Sequence, residues 1–137
     1  MLDTVVLFAA SDPLDKHHED AVAHLSSAVD DLVIAGSAMF EFDLVLKSNG
    51  FSPSQRRTVF LSMAAEFPSS IQAVGSVTAP ILFTAAILQE VHGLDYFDAL
   101  VAAEALARDG KVVSTDREFD KIRGLERLPL KADRARG

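Results

Sequence analysis

Residues 95–116 read DYFDALVAAEALARDGKVVSTD, and this stretch decides the fold class. Asp95 caps a predicted helix whose Ala- and Leu-rich body points to burial, and Gly110 ends it. The short branched strand KVVS follows at once, with an acid, Asp116, two residues beyond it. A helix that feeds directly into such a strand is the unit of an α/β domain, in which helical crossovers make the strands parallel.

Working outward, Thr78 and Pro80 restart helix through to His92, and Gly93 closes it. Its apolar part, TAPILFTAAIL, is far shorter than the roughly 20 residues a membrane span needs, so it reads as a buried helix and argues against a membrane partner. Upstream, IQAVGSV reads as a strand, and Ser52-Pro53 opens the helix PSQRRTVFLSMAAEF, which ends at Pro68. Ser37 caps AMFEFDLVLKS, which stops at Asn49-Gly50. Asp30 and Asp31 introduce LVIAG, the continuous apolar run of a buried strand. Near the start, the apolar stretch VVLFAA follows Asp3, and Ser11 or Asp12 caps a helix from Pro13 through HHEDAVAHLSSA. The pattern predicts four short strands among about five helices, then a Leu/Pro-rich edge.

At 137 residues the chain is sized for a single domain over 1–137, and 49% apolar with 24% charged residues excludes disordered and collagen-like classes. The absence of cysteine excludes disulfide scaffolds and thiolate metal sites and suits a reducing compartment. An acid stands in the start MLDTVV where a signal peptide has its basic region, so a cytoplasmic protein is expected. The net charge of −7 is uneven: residues 117–137 hold seven basic groups against four acids, and the first 116 hold six against sixteen. Such an acidic body repels a phosphate backbone unless cations or a basic edge intervene.

In open α/β sheets the functional crevice lies beyond the carboxyl ends of the strands. The polar residues falling there are mostly acids: Asp3, Glu41 one turn after Ser37, Asp98 three residues after the cap Asp95, and Asp116. Taken singly, each also fits a helix cap or a solvated surface position. Taken together, converging carboxylates are costly without a cation, and Mg²⁺ or Mn²⁺ takes such oxygen ligands. His17, Asp20 and His24 share one helical face, but a lone face rarely completes a zinc shell. No GxxxxGK[ST] or GxGxxG loop occurs, and the acid pair Asp30-Asp31 precedes a strand rather than following one, against a receiver domain. Phe40, Phe42, Phe60, Phe83 and Phe97 read as core rather than as base-stacking platforms.

Five stretches in this order resemble the PIN-domain family, the metal-dependent ribonucleases that include VapC-like toxins: DTVVLFAASDPLDKHHEDA, SAMFEFDLVLKS, TAPILFTAAILQEVHGLDYFDALVAAEAL, VVSTDREFDKI and GLERLPL. The resemblance implies an α/β/α sandwich around a mostly parallel sheet of four to five short strands. It places the four family acids at Asp3, Glu41, Asp98 and Asp116, the family's Ser/Thr at Ser114, and an auxiliary carboxylate at Asp120. It further implies hydrolysis of RNA phosphodiesters with one or two Mg²⁺ or Mn²⁺ ions, a homodimer and, for toxins, an antitoxin protein over the acidic groove. Candidate phosphate grips are Arg56, Arg57, Arg117, Lys121 and Arg123, each of which also reads as solubilising charge. The chain departs from the family in two places: Val5 stands where an Asn is common, and only Met1 and Leu2 precede the first acid, so the first strand must be very short. These departures keep open an alternative, a degenerate PIN module that binds RNA or a partner without cutting.

Overall fold

The computed structural model describes residues 1–26 and 32–133. Asp30, Asp31, Arg134 and Arg136, invoked above for a strand start and for the basic tail, lie outside the described residues.

The strand predicted at KVVS forms over Lys111–Val113 (β1) and pairs in parallel with Glu126–Leu128 (β2), Val112 opposite Arg127 and Val113 opposite Leu128. Leu2 lies on the other side of β1, making single parallel bridges to Val113 and to Ile34. The amide of Gly75 in turn donates to Ile34 O at 2.8 Å. Leu2, Ile34, Val112 and Val113 are fully buried, as a parallel sheet covered on both faces requires, and each contributes about 1.5–3 kcal/mol by leaving water.

Among the described residues only β1 and β2 are full strands, fewer than the four to five expected. LVIAG contributes the single bridge at Ile34, and the first strand is reduced to Leu2. VVLFAA is helical, within α1 (Thr4–Ser11), because the Asp3 side chain accepts the Thr4 amide and caps a helix there; a continuous apolar run does not by its period distinguish a strand from a buried helix. The helix expected from Pro13 begins only at α2 (His18–Ser26). IQAVGSV is not a strand either, since Pro68 starts the short helix α5 (Pro68–Gln72) and draws Ile71 and Gln72 into it.

The helices α3 (Gly36–Ser48), α4 (Pro53–Glu66), α6 (Ala79–His92) and α7 (Tyr96–Leu106) stand where the spacing predicts. Ser52 and Gln55 form a reciprocal capping box on α4, and Gly93 ends α6 with φ 66°, a left-handed position that glycine adopts without strain. Ser37 does not cap α3: the helix starts one residue earlier, after Ala35, and the Ser37 hydroxyl turns to another helix.

Phe42 anchors the core between α1, α3 and α4, its ring 4.8 Å from Phe8 and 6.1 Å from Phe60. Two of the aromatics expected in the core are outside it, Phe40 at 70% exposure and Phe83 at 69%. Likewise α6 is only half buried, through Ile81, Ala85 and Leu88, because it packs on α7 along one face and turns Phe83, Ile87 and Val91 outward. No helix among the described residues is long and apolar enough to cross a membrane. The helix α7 packs on α3, α6 and β1, which brings the first turn of α7 to the carboxyl end of β1.

Candidate active site

Asp3 follows directly from the Leu2 bridge and is buried, with 6% of its surface exposed. One carboxyl oxygen accepts the Thr4 amide at 2.8 Å and the other accepts the Ser114 hydroxyl at 2.7 Å. Ser114, fully buried at the end of β1, also receives the Asp116 amide on the same Oγ at 3.0 Å. A single hydroxyl thus ties the first acid to the turn that carries the fourth. Asp116 itself caps the 3₁₀ turn Arg117–Lys121 through the Glu118 amide at 2.9 Å.

Asp98 projects from the first turn of α7 and shares a side-chain hydrogen bond with Asp116. Two carboxyl groups form such a bond only when one holds a proton. Burial pushes the Asp98 carboxyl up to about 7, and the charges of Asp3 and Asp116, the bond to Asp116 and the charge of Glu41 push the same way. Burial likewise raises Asp3 to about 6; the bonds from Ser114 and Thr4 oppose the rise, while the charges of Glu41 and Asp116 add to it. The charges of Glu41 and Asp116 thus reach both Asp3 and Asp98, and the charges that raise these two carboxyls are negative.

That donor set suits a divalent oxygen-seeking cation, which relieves like-charge repulsion by displacing protons. Among the described residues no three His, Asp or Glu side chains stand at the spacing that holds one ion.

A family model described as PIN domain matches residues 1–125. The chain belongs to the PIN-domain family. A chain of the crystal structure of VapBC2 from Rickettsia felis, bound to a DNA fragment from their promoter, superposes with a TM-score of 0.71 at 18% identity, covering 96% of this chain and 98% of that one. At that identity the likeness establishes the fold. No curated protein matches the chain. The PIN fold accounts for the α/β architecture and the parallel sheet.

Several other candidate residues of this PIN domain have partners within the chain or stand exposed. Asp120, expected as an auxiliary metal carboxylate, is exposed and held in a two-point grip, with Arg127 Nε 2.9 Å and Nη2 3.2 Å from its two oxygens. The Arg127 bonds hold its carboxyl below the usual range, and the same guanidinium donates to Ser114 O at 3.2 Å, linking Asp120 to the end of β1. Arg56, expected on phosphate, donates to Asp43 at 2.9 Å and to Phe51 O at 3.4 Å. Lys121 pairs with Glu118, and Arg57, Arg117 and Arg123 are exposed. The His17, Asp20 and His24 face meets the chain's own C-terminal segment: Asp20 accepts the Lys131 amide at 2.8 Å, and His17 Nδ1 donates to Lys131 O at 3.1 Å.

Glu104 is the residue that the sequence reading passes over. It is 2% exposed on α7 and accepts the amides of Gly36 at 2.8 Å and Ser37 at 3.0 Å together with the Ser37 hydroxyl. The signal is present in ALVAAEALA, where one charge interrupts a helical run that is otherwise apolar, and a buried Glu demands partners.

Ser114→Ala tests the tie between Asp3 and Asp116. Leaving a buried amide and a carboxyl oxygen without their partner should cost about 1–3 kcal/mol in urea unfolding, and metal affinity should fall about 10- to 100-fold. A variant with unchanged stability and Mn²⁺ affinity would show that the hydroxyl does not organise the acids.

Proposed function

We propose that this PIN domain is a divalent-metal-dependent endoribonuclease that cleaves RNA phosphodiester bonds, and that it is the toxin of a type II toxin–antitoxin pair. The observation that carries the reading is that Asp3, Glu41, Asp98 and Asp116 come near enough for their charges, added to burial, to raise the carboxyls of Asp3 and Asp98. PIN domains are generally nucleases, which agrees with that chemistry.

In this reading the four acids hold the cation, Mg²⁺ or Mn²⁺. When bound, it supplies an activated water and charge neutralisation at the phosphate being displaced. Asp98 and Asp116 would offer it anionic oxygens, and Ser114 holds the Asp3 carboxylate next to the backbone that carries Asp116. The exposed Arg57, Arg117 and Arg123 take the phosphate backbone, and Arg117 is adjacent in sequence to Asp116. Phe40 and Phe97, next in sequence to Glu41 and Asp98, line a cavity of about 490 Å³ with Leu44 and Tyr96, rimmed by Asp43, Lys47 and Arg56, a mixed recess suited to an antitoxin segment. A second copy of the chain suits the outward Phe83, Ile87 and Val91 of α6.

The test is calorimetric titration of Mn²⁺ into the purified chain, with degradation of an unstructured RNA pool followed with and without EDTA. Saturable uptake and EDTA-sensitive cleavage are expected. Absence of Mn²⁺ uptake, with RNA still bound, would replace this reading by the non-catalytic PIN module.

A further inference from the structure

Glu104 sits in the third turn of α7, but its partners all belong to the first turn of α3. The opening amides of a helix have no partner within it, and the positive end of the helix dipole lies there. Ala35 precedes α3 and has no side chain to cap it, so the cap comes from another helix. Space for the carboxylate is made by two glycines. A Cβ on Gly36 would collide with Gly75 O, and one on Gly75 would lie 2.8 Å from Glu104 Oε1. The carboxylate is therefore held from three sides, with no room to relax.

The two helices it joins are the ones that carry Glu41 and Asp98. Ser37 and Glu41 are four residues apart on α3 and so share one face, one turn from each other. Asp98 is in the first turn of α7. We infer that Glu104 is a positioning residue for the acid site, capping α3 from α7 and so setting where Glu41 stands relative to Asp98. The inference rests on the reading of the four acids as a metal site.

Glu104→Gln keeps the shape but replaces one acceptor oxygen by a donor, where three donors converge. The variant should remain folded by circular dichroism and should bind Mn²⁺ about tenfold more weakly or worse, in line with the about 10- to 100-fold effects of groups behind metal ligands. The ¹³C resonance of the Glu41 side-chain carboxyl should move even without metal, and that of Asp116, held by Ser114, should stay. Ser37→Ala removes one donor only, should give the same changes at smaller size, and decides the matter if Glu104→Gln does not fold. A Glu41 resonance and an Mn²⁺ affinity both unchanged in a folded variant would overturn the assignment. If the native chain takes up no Mn²⁺, the metal reading fails, and the Glu41 resonance alone still decides whether Glu104 sets its place.

Discussion

Asp98→Asn is expected to abolish RNA cleavage while leaving the fold intact. An amide cannot supply the anionic oxygen that a divalent cation takes from Asp98, and forfeiting about 4 kcal/mol of the charge stabilisation the metal provides lowers the rate by about three orders of magnitude. The fold should tolerate the change because the side chain at this position is only half-buried and the new amide can still donate to Asp116, replacing the shared proton. Removing one negative charge also relieves Asp3, which Glu41 and Asp116 already crowd. The metal-free variant at pH 8 should accordingly melt no lower than the native chain. Single-turnover cleavage of labelled RNA, calorimetry with Mn²⁺ and thermal melting check the three parts together. Retained cleavage by the variant would refute the assignment of the acids.

Mn²⁺ should raise the melting temperature strongly at pH 8 and hardly at all at pH 5. Asp3 and Asp98 have folded-state values of about 6 and about 7, above the 3.8 of an unperturbed aspartate. Between these limits the folded chain holds protons that the unfolded chain releases, so the stability these two groups contribute is present below about pH 4 and is lost as pH rises through 6 and 7. A cation that replaces those protons restores the loss, and it competes with them as pH falls. At free Mn²⁺ about a hundredfold above Kd the gain is about 2.7 kcal/mol, or about 8–10 °C for a domain of this length. Melting curves at pH 5, 6, 7 and 8 with Mn²⁺ and with EDTA measure it. A shift independent of pH would place the cation away from Asp3 and Asp98.

The candidate acids were legible because most of them sit at punctuation points. Asp3, Asp98 and Asp116 each open a helical segment or follow a strand, positions that sequence pattern marks well. Glu41 was legible through its helix and its place beyond LVIAG. The pairing of Asp120 was not legible because nothing local shows that Arg127, seven residues on, folds back to take both its oxygens. Glu104 was invisible as a cap because its donors lie 67 and 68 residues away. The strand count erred where apolar runs are short: Leu2 and Ile34 meet β1 and each other through single bridges, too little pairing to leave a period-two pattern.

By itself the sequence determined the fold class and the helix boundaries drawn by Ser52-Pro53 and Gly93, because these depend on local backbone chemistry and on the order of elements. Only the tertiary structure decided that burial and neighbouring acids raise the Asp98 carboxyl, that Ser114 ties Asp3 to the Asp116 backbone, that Phe40 and Phe83 face outward, and that a buried glutamate on α7 caps α3. Each of these depends on which distant surfaces meet, and burial and charge act on a side chain through neighbours that are remote in the chain.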